Sequence, residues 1–180
     1  MDSTQPWTLT DGRAGNRRQA EALAMALDCG PALDWLLQPR LPWRIAAPRR
    51  LPGARNAFGP EFARALEQPP QLAVGCGRQA ALATRLLRER GAKVVQILDP
   101  RIVTRYWDLV VAPEHDRLQG DNVINLLGSL NPVDDAWLLQ ARNAFAAFAE
   151  LPAAHRGVAG RFQRACALRP QRLRGAGVET

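Results

Sequence analysis

The sequence predicts an α/β fold with a mostly parallel sheet, because short apolar stretches alternate with helical patterns along most of the chain. The clearest unit is QLAVGCGRQAALATRLLRERGAKVVQILDPR. Here a strand at Leu72–Val74 is followed by a glycine turn, a helix at Arg78–Arg90 and a strand at Lys93–Leu98. The second strand is apolar and β-branched, as strands covered on both faces are. Strands that alternate with helices in this way pair in parallel.

The alternation continues through the rest of the first 151 residues. The helix at 16–28 places Ala20, Leu23, Ala24 and Leu27 on one face. Several prolines make residues 39–60 a long irregular connection, and a loop of that length is usually functional or mobile. The other predicted elements are strands at 6–10, 32–38, 108–112 and 122–127, and helices at 58–67 and 131–151.

The length of 180 residues and the apolar content of 47% predict one main domain with a substantial core. We place this domain at residues 1–151, and an irregular basic tail at 152–180, where no strand or helix periodicity persists. The net charge of +7 lies mainly in that tail, which carries six arginines and one glutamate. Because no basic stretch with interleaved aromatic residues precedes residue 151, we expect no nucleic-acid binding.

Targeting signals and the spacing of the cysteines indicate the cellular compartment of the protein. No apolar run approaches the roughly 18 residues of a membrane-spanning helix, so we expect no integral membrane segment. The start, MDSTQPWTLT, has neither the basic region nor the apolar region of a secretory signal. Cys29, Cys76 and Cys166 are widely spaced, and no CxxC occurs, which favours a reducing compartment. These features predict a cytoplasmic protein.

Glycines and charged residues gather where the predicted strands end, which is where ligands bind in parallel α/β sheets. Glycine lets a ligand approach the backbone, and the free N–H groups of a helix N-terminus attract anions. Arginine adds bidentate contacts to phosphate or carboxylate groups. We therefore expect one shared site for an anionic or sugar-bearing small molecule. Its predicted ligand-binding residues are Asp11, Gly12, Arg13, Gly15, Asn16, Gly75, Gly77, Arg78, Asp99, Arg101, Glu114, His115 and Asp116.

These residues form four corners where predicted strands end, at 11–16, 75–78, 99–101 and 113–116. Each corner also has a simpler interpretation, since glycine is an ordinary turn residue and a surface arginine is often only solvated.

Residues 75–80 match a second pattern, the G-x-G-x-x-A fingerprint of dinucleotide-binding domains. Asp99 follows the next strand, where an acid that binds ribose stands in such domains. However, this unit does not contain the first strand of the chain, and Pro100 follows the acid directly. Binding of NAD(P) therefore remains an alternative.

His115, between Glu114 and Asp116, is the candidate general base or hydrogen-bond partner of a ligand, and a structural loop histidine is the alternative. A metal site needs more ligands at suitable spacing, and the only other histidine is His155, so no metal or other cofactor is predicted. Cys76 precedes a predicted helix, a position that lowers the pKa of a thiol. No base lies near it in sequence, which favours a small packed cysteine over a nucleophile.

Five motifs resemble those of the mitochondrial-fission, elongated-mitochondria family and its bacterial relatives. They are LTDGRAGNRRQAEALAMAL, GCGRQAALATRLL, VVQILDPR, DLVVAPEHD and NVINLLGSLN, and the resemblance runs from Trp7 to Leu151 in the family's order. It implies a Rossmann-like three-layer domain that forms one half of a B-type glycosyltransferase (GT-B) architecture. Plant members of the family act in mitochondrial fission, and the bacterial members have no assigned reaction.

Two departures from the family pattern change the expected chemistry. Family members commonly have a histidine where this chain has Asn16, and an amide cannot act as a base near neutral pH. His115, in PEHD, does match the family pattern. The family continues with a second nucleotide-binding half where this chain has LPAAHRGVAGRFQRACALRP. The resemblance therefore implies an acceptor-side half with an unrelated tail and a missing second domain.

A chain of this kind is expected to be catalytically incomplete, without transferase turnover alone. The function predicted from the sequence is thus a glycosyltransferase-like N-terminal domain that binds a sugar-bearing or anionic ligand. Two alternatives stay open: a nucleotide- or NAD(P)-binding domain, and a non-enzymatic interaction module. The identity of the donor and the acceptor does not follow from the residues.

Overall fold

The computed structural model describes residues 5–131 and 139–140. The chain divides into two units, residues 1–132 and 133–180, and the fold given below is that of the first unit. The predicted helix at 131–151 and the predicted tail at 152–180 lie outside the described residues, apart from residues 131, 139 and 140. Residues 139 and 140 are helical and exposed.

The described part of the first unit is built on a six-stranded sheet in which all neighbouring strands are parallel. The strands are β1 (Trp7–Thr10), β2 (Leu33–Leu36), β3 (Leu72–Cys76), β4 (Lys93–Ile97), β5 (Leu109–Pro113) and β6 (Val123–Leu126). The α-helices are α1 (Ala14–Ala26), α2 (Trp43–Ala46), α3 (Pro60–Ala65) and α4 (Arg78–Arg88). Single turns of 3-10 helix occur at 54–56, 104–106 and 114–116. This architecture confirms the predicted α/β, Rossmann-like fold.

Apolar side chains cover both faces of the sheet, because successive residues of a strand point to opposite sides. On one face, Ala20 of α1 packs with Val74 and Ile97 in a buried cluster. On the other face, a larger cluster joins α3 and α4 to the sheet and includes Trp7 and Leu82. Because the central strands are buried on both sides, they are mainly apolar in sequence, and Thr8, Thr10 and Gln96 within them are buried as well.

The direction of the chain through the sheet reverses between β1 and β3. The spatial order is β2-β1-β3-β4-β5-β6, so the chain moves one way from β1 to β2 and the other way from β3 to β6. A reversal of this kind leaves a crevice outside the carboxyl ends of the two strands, which is where α/β proteins bind ligands. Here the crevice is bordered by the first residues of α1 and of α4, which follow β1 and β3.

Several boundaries differ from the predicted ones, and local backbone geometry explains the differences. The strand β3 continues through Gly75 and Cys76, where the sequence predicts a turn, and only Gly77, at φ +90°, turns the chain. A β-carbon on Gly75 would lie 2.7 Å from Cγ2 of Thr84, so this glycine allows α4 to pack closely on the strand. The helix α1 ends at Ala26, before Asp28 at φ +48°.

Candidate functional site

A pocket with a volume of about 1080 Å³ lies at the carboxyl ends of the strands. It is lined by residues from all four predicted corners, those after β1, β3, β4 and β5, so these corners meet at one mouth. The predicted residues that line it are Asp11, Arg13, Asn16, Gly77, Arg78, Asp99, Arg101, His115 and Asp116.

Four predicted ligand-binding residues do not line the pocket, and each has another place in the structure. Gly12, at φ +81°, turns the chain beneath Leu36, whose Cδ1 lies 2.6 Å from the position of an added β-carbon. Gly15 is exposed in the first turn of α1, and Gly75 is buried in β3. Glu114 is exposed in the 3-10 turn after β5. Of the predicted glycines, Gly77 alone borders the pocket.

Residues 45–49 form a wall of the pocket that the sequence-based set of candidates lacks. They belong to the connection 39–60, whose length indicates function, although no residue pattern shows which strand ends it approaches. Gln79, Leu98, Ile102, Pro113 and Ser129 also line the pocket and are absent from the predicted set.

Three side chains of α4 hold this wall against the site. Nη2 of Arg78 and Nε2 of Gln79 donate hydrogen bonds of 3.3 and 3.0 Å to the backbone carbonyl of Arg44. Nη1 of Arg85 donates a bond of 2.7 Å to the carbonyl of Pro48. The start and the middle of α4 thus position the wall, and the start of α4 also lines the pocket.

The corners after β1 and β4 have the same local structure. In each, an aspartate accepts a hydrogen bond from the backbone N–H of the arginine two residues later, at 3.2 Å for Asp11 and Arg13 and at 2.7 Å for Asp99 and Arg101. The arginine Nε lies 3.4 or 3.8 Å from the other carboxylate oxygen. The arginine side chains remain 83% and 81% exposed. Each corner therefore presents a fixed aspartate and a guanidinium with free donors to an anion.

Asn16 joins the corners after β1 and β3. Its Nδ2 donates a hydrogen bond of 2.8 Å to Oδ1 of Asp11, and it lies 2.8 Å from the position of a β-carbon on Gly77. Gly77 is the N-cap of α4, so the free N–H groups of that helix start lie at the same place. The arrangement suits a phosphate or carboxylate group, which helix N-termini bind through N–H groups and the helix dipole.

His115 provides a solvent-accessible imidazole at the edge of the pocket. Its side chain is 80% exposed, and Nε2 lies 3.5 Å from Oδ1 of Asp116, so a protonated ring forms an ion pair there.

Within residues 5–131 and 139–140, no group of three or more His, Cys, Asp and Glu side chains is placed to hold a metal ion. In the same part of the chain, no helix is long and apolar enough to cross a bilayer.

Cys76 lies beneath the pocket and does not line it. Burial, assisted by the negative charge of Asp11, raises the pKa of the Cys76 thiol to about 12. Because a thiol is nucleophilic only when deprotonated, Cys76 is not activated for attack near neutral pH.

The fold and the pocket define a Rossmann-like α/β domain with a polar site at the reversal point of its sheet. A family model described as Mitochondrial fission ELM1 matches residues 14–172, and the chain belongs to this family. The family predicted from the motifs is therefore confirmed. The matched range also includes residues 152–172, most of the segment predicted as an unrelated tail. Neither a curated protein nor a solved structure matches the chain.

Proposed function

We propose that this domain is the ligand-binding half of a glycosyltransferase-like protein of the B type, and that its pocket binds the anionic part of a sugar-bearing molecule. The observation that carries the proposal is the meeting of four strand-end corners in one pocket at the reversal of the sheet. The volume of about 1080 Å³ is sufficient for a small molecule of nucleotide-sugar size.

The charges that line the pocket support an anionic ligand. Arg13, Arg49, Arg78 and Arg101 contribute four guanidinium groups, and the three aspartates that line the pocket are Asp11, Asp99 and Asp116. The aspartates after β1 and β4 already pair with their own arginines. In this proposal the phosphate groups lie at the start of α4, between the two exposed guanidinium groups of those corners.

The opposite edge of the pocket suits the sugar. His115 and Asp116 offer an imidazole and a carboxylate, which exchange hydrogen bonds with hydroxyl groups. The imidazole is also the candidate proton acceptor of the site, since histidine is the side chain that most commonly serves as a general base. The proposal assigns binding to this domain and assigns transfer to its combination with a second domain, as in the B-type architecture.

Titration calorimetry with UDP-sugars and with NAD(P) tests this proposal. Replacing Arg13 or Arg101 by alanine removes a charge-assisted contact, and we expect each to weaken UDP-sugar binding by about tenfold or more. Arg90→Ala is the matched control, because this exposed arginine follows the other end of α4. NAD(P) binding that is lost in Asp99→Ala would favour the dinucleotide alternative, and absence of binding by both ligand classes would contradict the proposal.

A further inference from the structure

A second surface adjoins the mouth of the pocket, formed by the segment Arg40–Arg49 (RLPWRIAAPR). The backbone N–H of Arg44 donates to the carbonyl of Arg40 at 3.0 Å, which closes a turn ahead of the short helix α2, Trp43–Ala46. Leu41 and Ile45 are the exposed large apolar residues of this segment, here called the apolar stripe, and Arg40 and Arg44 directly precede them in the sequence.

The apolar stripe points into solvent. Leu41 is 65% exposed and Ile45 is 73% exposed, whereas Trp43, on the other side of the same turn, packs against the buried core. The hydrogen bonds from α4 to the segment hold it in place, so these two side chains are kept outward. Ile45 also lines the pocket, which places the stripe at the mouth.

The surroundings of the stripe are strongly basic. Residues 35–60 contain five arginines and neither aspartate nor glutamate. Arg50 and Arg55 pair with glutamates elsewhere in the domain. Among the residues that the structure describes, no carboxylate lies within salt-bridge distance of the other three, Arg40, Arg44 and Arg49, all of which are exposed.

We propose that the Arg40–Arg49 segment docks on the surface of an anionic lipid bilayer. Leu41 and Ile45 enter the interfacial region, and Arg40, Arg44 and Arg49 contact the lipid phosphates. Apolar side chains that insert into the interface and basic residues that lie near an anionic surface both contribute to such binding. A stable protein interface buries about 800 Å² on each partner, far more than two aliphatic side chains provide. The lack of acidic residues in 35–60 also removes repulsion from the headgroups.

Docking in this way turns the mouth of the pocket toward the bilayer, because Ile45 and Arg49 belong to both surfaces. A ligand carried by a lipid would then reach the pocket from the membrane. The docking itself requires no pocket ligand, so it is tested with the protein alone, and its failure would leave the proposed sugar-ligand function untouched.

Flotation of the full chain with vesicles of phosphatidylcholine, with and without phosphatidylserine, tests the charge requirement. We expect binding to the anionic vesicles only, and a loss of about twenty-fivefold in partitioning for R40Q/R44Q, since each arginine contributes about fivefold. The basic tail could also bind anionic lipid, so R169Q/R172Q, which removes the same charge there, is the matched control. Equal losses in the two double variants, or binding to neutral vesicles at the same level, would overturn the proposal.

Insertion is tested separately with an environment-sensitive NBD label at Leu41→Cys, in a C29S/C166S background. We expect its emission to shift to the blue when anionic vesicles are added. The control is a label at Met25→Cys, because Met25 is 73% exposed, as Ile45 is, but lies at the far end of α1. Absence of the shift at position 41, an equal shift at position 25, or a dimer without vesicles that L41S/I45S abolishes would overturn membrane docking.

Discussion

The amide nitrogen of Asn16 lies 2.8 Å from the place that a β-carbon on Gly77 would occupy. This close approach joins the corners after β1 and β3, the two strands between which the chain reverses through the sheet. The same nitrogen donates a hydrogen bond to Asp11. The close packing of these two corners therefore depends on Gly77, a position that has no side chain.

We expect Gly77→Ala to destabilise the protein more than Gly59→Ala. Both glycines are helix N-caps with nearly the same backbone angles, φ +90° and ψ 175° against φ +93° and ψ 175°. The backbone strain, about 1–3 kcal/mol, is thus common to both variants. A β-carbon at Gly59 meets no atom within 4 Å, whereas one at Gly77 displaces Asn16. The free energies of unfolding in urea measure the difference.

A double variant tests whether the clash with Asn16 causes the additional loss of stability in Gly77→Ala. Adding Asn16→Ala to Gly77→Ala removes the displaced amide, so the cost of the glycine substitution should fall to that of Gly59→Ala. Equal costs for the two single glycine variants would show that the contact between Asn16 and Gly77 does not contribute to stability.

We expect Cys76 to resist alkylation in the folded protein, while the exposed Cys29 reacts. The raised pKa of Cys76, about 12, leaves only roughly one thiol in ten thousand deprotonated at pH 8, and burial also blocks the reagent. Mass mapping after treatment with iodoacetamide measures the two rates. Modification of Cys76 at the rate of Cys29 in native buffer would contradict the burial and the raised pKa.

Asp108→Asn is expected to lower the free energy of unfolding at neutral pH by about 1 kcal/mol. Burial favours the protonated form of Asp108, but the N–H of Val94, at 2.9 Å, and the cations Arg88 and Lys93 outweigh it and lower its pKa below the usual 3.8. A lowered pKa in the folded state stabilises the protein at pH values above 3.8, and this contribution is lost as the pH falls further.

The destabilisation by Asp108→Asn should therefore shrink in acid, which urea unfolding at a series of pH values measures. Asp121→Asn is the control, because Asp121 is exposed and has no salt bridge or side-chain hydrogen bond among the described residues. A difference between Asp108→Asn and the parent protein that is constant from pH 7 to well below 3.8 would argue against the assigned contacts.

Arg85→Met should loosen the wall at residues 45–49. Arg85 donates to the carbonyl of Pro48 and also stacks over the ring of Tyr106, with 4.0 Å between the guanidinium carbon and the ring centroid. Loss of both contacts should cost about 1–2 kcal/mol. Hydrogen exchange should become faster at 45–49 and stay unchanged in β3. Arg90→Met is the control, and unchanged exchange at 45–49 would refute the anchoring role.

The elements of the fold follow from local sequence signals, and the pocket follows only in part. The continuous apolar pattern of Lys93–Leu98 and the glycine before Arg78 predict β4 and the start of α4 closely, because burial and helix starts leave local signals. The sequence pattern predicts a turn at Gly75, because the closeness of this glycine to Thr84 exists only after α4 packs on the sheet. The wall at 45–49 likewise depends on side chains of α4 that bind distant carbonyls, which no local pattern encodes.

The pairing of β1 with β3 has a consequence for how the protein matures. Trp7 is opposite Ala73, so the two corners that border the crevice come from distant parts of the chain. A nascent polypeptide that has not yet released β3 from the ribosome has no such crevice, however well its earlier segments have formed. A ligand that contacts both corners binds only after β1 and β3 have paired, so it would raise the temperature of unfolding. Binding of the ligand would then show that this domain has folded.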